Sequence, residues 1–375
     1  ALVELLRCYL FSGFPWAILS YGWLDTPLSI FVTWFGPYIF NSLIIIVGFN
    51  LLYSSIINNV FKSIFFITIL FGVQNYYSEK GIDESIESLT VRLVQPNIKQ
   101  KDKWKKENEL QHLEILIDLS NKSPKPDLVV WPETAVYWLP EENPEKLQMI
   151  AEQVRSPLLF GALRFNRDTK KLFNAVFLID DKGEIQSFYD KTFLVPFGEY
   201  LPLGGLLRYF NIFGNSYRLI DGFSRGSGLE LIKHSQFQTF LPLICYEALF
   251  SNEILGEVKE AHWILNITND AWFGNNSGPK QHLNIARMRA LENNIPLIRV
   301  SNNGISAKIS KNGKIEEYIP LNKRGFLDVG LSLNTEREKT YYATFGKNFS
   351  AYLHLVLLLL LFLYYLISSR KEKGE

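Results

Sequence analysis

Residues 239–247 read Thr239-Phe240-Leu241-Pro242-Leu243-Ile244-Cys245-Tyr246-Glu247. An unbroken apolar run with no polar alternation predicts a strand covered on both faces. The run stops in a polar turn, which sets a thiol at the end of a strand, where α/β sheets commonly bind ligands. The same pattern recurs along the chain. Strands are predicted at 90–94, 127–131, 157–161, 174–179, 185–189, 239–245, 263–267, 296–300 and 305–309. Amphipathic helices are predicted at 103–120, 144–154 and 279–294. Asp181-Lys182-Gly183 and Lys311-Asn312-Gly313 mark hairpin turns. Together these elements predict an α/β layered domain whose sheets are covered by helices on one face and by another sheet on the other. The stretch 195–228, rich in Gly, Phe, Tyr and Pro, reads as a long functional loop.

Charge separates this domain from the rest of the chain. The 375 residues carry 39 Lys plus Arg and 38 Asp plus Glu, a net +1, so nothing in the balance points to nucleic acid. Residues 1–78 hold only Glu4, Arg7, Asp25 and Lys62. The run 30–53 is long enough to cross a bilayer with some tilt, and 61–77 is a shorter candidate. Residues 1–11 read as the back half of a further span rather than a cleaved signal, because the hydrophobic region resumes afterwards. Residues 349–369 contain no charge and would span roughly 31 Å as a helix, about one hydrocarbon core. Arg370, Lys371 and Lys373, with Lys62 at the turn 54–61, should face the cytoplasm, which puts 78–348 on the opposite side. The expected division is therefore 1–77 for about three membrane helices, the first partial; 78–348 for an extracytoplasmic catalytic domain; 349–369 for a final span; and 370–375 for a cytoplasmic tail.

Two cysteines, Cys8 and Cys245, are too few for a disulfide framework, and no Cys/His cluster suggests zinc. Any chemistry of Cys245 is single-thiol chemistry. A second predicted strand runs into Trp131-Pro132-Glu133, placing a carboxylate behind a proline that stops sheet pairing. A third ends in Tyr189-Asp190-Lys191, followed by Phe193-Leu194-Val195-Pro196-Phe197-Gly198-Glu199, which surrounds a lysine with apolar neighbours. Taken singly, each residue is more readily a buried thiol, a loop glutamate or a solvated lysine. Three of them at strand-to-loop junctions form a far more specific set.

Those blocks, followed by Asn269-Asp270-Ala271-Trp272-Phe273-Gly274, by the helix around Arg287-Met288-Arg289 and by Ser301-Asn302-Asn303-Gly304, resemble the nitrilase superfamily. Within it they resemble the membrane-bound apolipoprotein N-acyltransferases, and the likeness extends through Phe14-Pro15-Trp16 to the last span. The resemblance implies a nitrilase-like α-β-β-α sandwich with transmembrane helices on both sides of it in sequence. It implies Glu133 as general base, Lys191 as electrostatic stabiliser and Cys245 as nucleophile, with Glu199, Tyr246 and Glu247 supporting them. Trp104 is the implied substrate contact; Trp272 is a candidate from its place, because the turn 269–274 follows a predicted strand and precedes the helix at 279–294, where it either lines the pocket or is a plain turn-rich connection. Also implied are a phospholipid acyl donor, acylated through its sn-1 ester and typified by phosphatidylethanolamine, and a diacylglyceryl-cysteine lipoprotein as acceptor. The expected location is the bacterial inner membrane, multi-pass, with the catalytic domain in the periplasm and no cofactor or metal. Family members usually carry more spans ahead of Phe14, so a shortened membrane region or a fragment is expected.

The chemistry has a stated difficulty. Moving a proton from an ordinary thiol to an ordinary carboxylate is uphill by about four pH units, roughly 6 kcal/mol. The surroundings must close that gap, and a nearby ammonium would favour the thiolate and then the tetrahedral oxyanion. Anchoring such a site at the bilayer avoids most of the roughly 12 kcal/mol needed to extract a chain of about sixteen carbons. Gly222-Phe223-Ser224-Arg225-Gly226 is a literal GxSxG, but it lacks the strand before and the helix after that a serine elbow needs. His112, His234, His262, His282 and His354 show no metal-binding spacing and read as ordinary surface or core residues. The competing expectations are a membrane-tethered amidase, in which water resolves the thioester, and a truncated inactive binding module.

Overall fold

The computed structural model describes residues 2–7, 10, 13–53, 88–202, 222–332, 338–346 and 348–372. The candidate span 61–77, the turn at 54–61 and the middle of the loop 195–228 lie outside the described residues. The helices are α1 (Leu2–Arg7), α2 (Ile30–Tyr53), α3 (Glu109–Ser120), α4 (Pro144–Val154), α5 (Ser251–Glu257), α6 (Gly278–Asn293), α7 (Tyr341–Phe345) and α8 (Phe349–Glu372). The strands are β1 (Ser88–Gln95), β2 (Leu128–Val130), β3 (Leu158–Asn166), β4 (Lys171–Ile179), β5 (Ile185–Asp190), β6 (Phe240–Ile244), β7 (Trp263–Thr268), β8 (Leu297–Ser301), β9 (Ser306–Ile309), β10 (Ile315–Ile319) and β11 (Gly325–Ser332). They fall into two compact units, Ala1–Asp83 with Glu338–Glu375, and Glu84–Arg337.

In the second unit a six-stranded sheet has the order β11-β1-β2-β3-β4-β5 and a five-stranded sheet the order β10-β9-β8-β7-β6. β1, β2 and β3 are parallel, as are β6, β7 and β8. Alternation on the first sheet sets the layers. Val91, Leu93, Leu128 and Val130 join Leu241, Leu243 and Ile264 in the core between the sheets. Their neighbours Val94, Val129, Leu158 and Phe160 face outward onto Leu113 and Leu116 of α3 and Leu147 and Ile150 of α4. α6 packs Leu283, Ala286 and Ala290 into the core of the second sheet. The result is the expected α-β-β-α sandwich. Register brings the functional ends level: Ile244 pairs Ile267, and Thr268 pairs Ser301, so Cys245, Asn269 and Asn302 follow at one edge of the sheet.

One sequence expectation needs correction, and two strands, β10 and β11, were not expected. The helix expected from residue 103 begins at Glu109, after a 3-10 turn over Lys106–Asn108, because Lys103 turns inward and is buried. β10 reads Ile-Glu-Glu-Tyr-Ile with three exposed residues in a row, since it is an edge strand paired to β9 alone. β11 carries Asp328 and two glycines, poor strand formers, and is held by antiparallel pairing to β1 from Ser88↔Ser332 to Gln95↔Gly325. Both hairpin turns formed as expected, joining β4 to β5 and β9 to β10.

Among the described residues, the first unit contains one helix long and apolar enough to cross a membrane, Pro27–Phe49, and a shorter apolar stretch, Phe349–Leu363, within α8. α2 kinks at Gly36, whose φ of 78° is a conformation L side chains rarely adopt, just before Pro37. A Cβ at Gly36 would lie 2.3 Å from the Tyr342 ring of α7, so only glycine permits both the kink and the packing. Ser42 of α2 bonds His354 of α8 at 2.9 Å.

Candidate active site

Glu133 follows β2 through Trp131-Pro132, and its path is set by a close crossing over β3. A Cβ on Gly161 would stand 2.5 Å from Thr134 N and 2.6 Å from Glu133 Cα, so glycine at 161 lets the Glu133 segment lie against the strand. The carboxylate is buried and fully engaged. Oε1 accepts from Asn174 Nδ2 at 2.8 Å and from Lys191 Nζ at 3.3 Å; Oε2 accepts from the Asn269 backbone N–H at 2.9 Å.

Lys191 follows β5, and its Nζ also donates to Glu199 Oε1 at 2.8 Å. Glu199 in turn accepts from Val195 N at 2.8 Å and from Asn174 Nδ2 at 3.0 Å. Burial by itself would discharge the Lys191 ammonium, but the Glu199 and Glu133 carboxylates outweigh it and hold its pKa above the ordinary lysine value. The lysine is therefore a fixed cation.

Cys245 leaves the extended Ile244 with φ of 53°, left-handed for a residue bearing a Cβ, and opens a 3-10 turn over Cys245–Leu249. Such a conformation costs of order 1–3 kcal/mol and persists only where the surroundings over-determine it. Here they do. Glu247 Oε2 accepts from Ile244 N at 2.7 Å, and His282 Nε2 lies 3.1 Å from the Cys245 carbonyl oxygen, to which it donates. Glu247 Oε1 accepts from Tyr189 Oη at 2.7 Å, Thr192 N at 2.6 Å and Phe193 N at 3.2 Å. One buried carboxylate thus ties the Lys191 loop to the Cys245 turn. Burial pushes its pKa up to about 7, with the Ile244, Tyr189 and Thr192 donors and the Lys191 ammonium pulling the other way.

The thiol itself is pushed up, first by burial and then by the Glu133 carboxylate; the Lys191 ammonium and a hydrogen bond with Thr268 oppose the shift without overcoming it. The ammonium favours the thiolate, as expected, but burial outweighs it. The resting sulfur is a neutral thiol beside a proton acceptor.

Beneath the turn, Asp270 accepts from Thr268 Oγ1 at 3.0 Å and pairs with His282 at 2.8 Å and Arg299 at 2.8 Å. Burial works against its charge, but Arg299 and His282 outweigh it and hold the carboxyl well below the usual range. His282, expected to be an ordinary core residue, therefore belongs to the support of the cysteine. Lys103, Asn174, Thr268 and Arg299 also escaped the sequence reading. The motif containing Asn269 was seen, but the role of its main-chain N–H was not.

Of the remaining expected residues, Tyr246 is buried, edge-on to Phe250 with centroids 5.3 Å apart. Trp104 and Trp272 are 49% and 67% exposed, outside the buried cluster. The GxSxG at 222–226 is a strap in which no helix follows among the described residues. Cβ atoms on Gly222 and Gly226 would lie 2.1 Å from the Glu199 carbonyl oxygen and 2.2 Å from that of Asp190, so the glycines serve close packing. Arg289 is buried and paired with Glu292 at 2.8 Å.

Residues 90–341 match the carbon–nitrogen hydrolase family and residues 1–50 the apolipoprotein N-acyltransferase N-terminal domain. The apolipoprotein N-acyltransferase of Brucella suis is 33% identical, over 88% of this chain and 65% of its own length. Those of Agrobacterium fabrum (34% identical, 90% and 67%) and Rickettsia typhi (33% identical, 98% and 75%) are similar. The chain thus spans about two thirds of the Brucella relative. Among solved structures, a branch 10 nitrilase-superfamily protein from Saccharomyces cerevisiae superposes with a TM-score of 0.51 at 17% identity, covering 68% of this chain and 93% of that one. An amidase from Nesterenkonia sp. gives 0.50 at 17% identity, covering 73% and 99%. The fold is nitrilase-like.

Proposed function

The chain belongs to the apolipoprotein N-acyltransferase family, and from that premise we propose that it moves a fatty acyl chain from a phospholipid, through a thioester on Cys245, to the N-terminal amine of a diacylglyceryl-cysteine lipoprotein. The observation that carries the reading is the buried assembly of Glu133 and Lys191, 3.3 Å apart, whose charges both act on the Cys245 thiol.

The steps follow from that geometry. Sulfur attacks the ester carbonyl as Glu133 takes the thiol proton, which avoids a free thiolate in a site that disfavours one. The tetrahedral oxyanion forms beside the Lys191 ammonium, kept charged by Glu199. Collapse breaks the ester C–O bond, and the departing lysophospholipid alkoxide recovers the proton from Glu133. The lipoprotein amine then attacks the thioester, giving its proton to Glu133, and the leaving sulfur takes that proton back as the amide forms. Ping-pong kinetics result. Glu199, Tyr246 and Glu247 hold the site, while Trp104 and Trp272 meet substrate outside it. The reading includes transmembrane helices on both sides of the catalytic domain, with α2 and α8 among them, and a multi-pass bacterial inner-membrane protein with the domain in the periplasm.

The test is mass spectrometry of the Cys245 peptide after exposure of the detergent-solubilised chain to phosphatidylethanolamine. A mass increase of one acyl chain, discharged by a diacylated lipopeptide with formation of the triacylated product, is expected. Absence of the adduct, or its release only as free fatty acid in the presence of the lipopeptide, would overturn the proposal.

A further inference from the structure

A second lysine enters the site from a side the catalytic set does not use. Lys103 lies in the turn before α3 and is 2% exposed, a rare state for an ammonium on a loop. Its Nζ donates to the main-chain oxygen of Glu133 at 3.0 Å. The next residue, Trp104, is 49% exposed, so the chain turns one side chain in and the next out. Lys191 approaches the same glutamate from β5 through its carboxylate, whereas Lys103 approaches through its peptide.

We propose that Lys103 is a positioning residue that fixes the Glu133 main chain and adds a second positive charge facing the Cys245 thiol, favouring sulfur's negative form during attack. The inference rests on Cys245 being the nucleophile. The charged and titratable groups that face Lys103 are Glu133 after β2, Cys245 after β6 and His112 on α3. Glu133 and Cys245 both favour its charged form, yet burial prevails and its pKa falls to about 8, so the charge is lost within an accessible pH range. Neither the carbonyl bond nor the burial belongs to a helix or a sheet ladder, since α3 starts six residues later at Glu109. A lysine whose only role was structural would be more cheaply replaced by an apolar side chain.

The experiment measures alkylation of Cys245 by iodoacetamide, resolved by peptide mass spectrometry on the full solubilised chain, from pH 6.5 to 10, with the thermal midpoint of each variant. Lys103→Gln keeps a donor for the Glu133 oxygen but removes the charge; we expect alkylation about tenfold slower at pH 7.5, corresponding to one unit on the thiol. Lys103→Arg retains the charge at every pH; its rate at pH 7.5 should return to within about threefold of wild type. Above pH 8, where the wild-type profile bends over, the Arg variant should keep rising. A Gln variant with an unchanged midpoint and wild-type alkylation would overturn the proposal. Should the Gln variant fail to fold, superimposable pH profiles for wild type and Lys103→Arg would overturn it equally. Because the probe is iodoacetamide, the expected profile combined with no acyl adduct from phospholipid would count against the acyltransferase reading and leave Lys103 in place.

Discussion

Glu247 receives four donors on two oxygens, three of them backbone N–H groups, two from the loop after β5 and one from the end of β6. A glutamine cannot replace it, because its amide nitrogen would face donors on whichever side it was placed. At least one buried N–H would then lack a partner, at about 1–3 kcal/mol. Glu247→Gln should therefore lower the thermal midpoint by about 5 °C. It should also slow Cys245 acylation more than the lost stability explains, measured well below that midpoint, because the Lys191 loop and the Cys245 turn are no longer tied. Unchanged acylation would show that the tie is dispensable. Lys103 supplies a pH prediction of opposite origin. Its folded pKa, about 8, lies below the ordinary lysine value of 10.5, so between these values the unfolded chain binds more protons than the folded one. Its contribution to stability thus rises with pH across that window, is complete above it, and is lost as pH falls through 8. The full swing is roughly 3 kcal/mol. The difference in thermal midpoint between wild type and Lys103→Met should change by several degrees from pH 8 to 10, wild type gaining, and a constant difference would refute the assignment.

At the scale of elements, β2 is only three residues long, and Glu133 depends on β3 for its course. Gly161 makes this concrete. Its N–H donates to Pro132 O at 3.2 Å and its carbonyl accepts from Ala135 N at 2.7 Å, bracketing Glu133 from below. Gly161→Ala would drive a methyl into the Glu133 backbone, and backbone cannot rotate away as a side chain can. We predict loss of Cys245 acylation by about a hundredfold, with far-ultraviolet circular dichroism unchanged, since a shift of about 1 Å in a catalytic group is worth that much. Acylation within twofold of wild type would contradict it. The elements also mark what could be read in advance. Runs such as Leu241-Pro242-Leu243-Ile244 announced buried strands because both their faces are covered, and the turn glycines announced the hairpins. The charged edge strand β10 and the glycine-bearing β11 gave no such signal: β10 has three exposed residues in a row and so no apolar face to read, and β11 is held by pairing to β1 at the other end of the domain. Glu133, Lys191 and Cys245 were legible because each ends a strand. Asn174 and Lys103 were not, since a mid-strand amide and a loop lysine acquire their roles only from neighbours 41 and 30 residues away.

For the whole molecule, the two chain ends form one compact unit and the stretch between them forms the other. If the end unit is the anchor, the side of the membrane on which the sandwich lies follows from charge alone. Arg370, Lys371 and Lys373 directly follow the apolar α8 segment, and short basic stretches beside a span are retained in the cytoplasm. The preceding sandwich must then lie outside, because a single crossing separates it from that tail. Lys182, exposed in the turn between β4 and β5, and Lys371 offer two positions for measuring this. With Cys8 and Cys245 replaced by serine, Lys182→Cys should react with a membrane-impermeant maleimide in intact spheroplasts, and Lys371→Cys should react only after the membrane is opened. The reversed pattern would place the sandwich in the cytoplasm, away from the lipoproteins the proposed reaction needs, and labelling of both sites in intact cells would mean that α8 does not cross the bilayer at all.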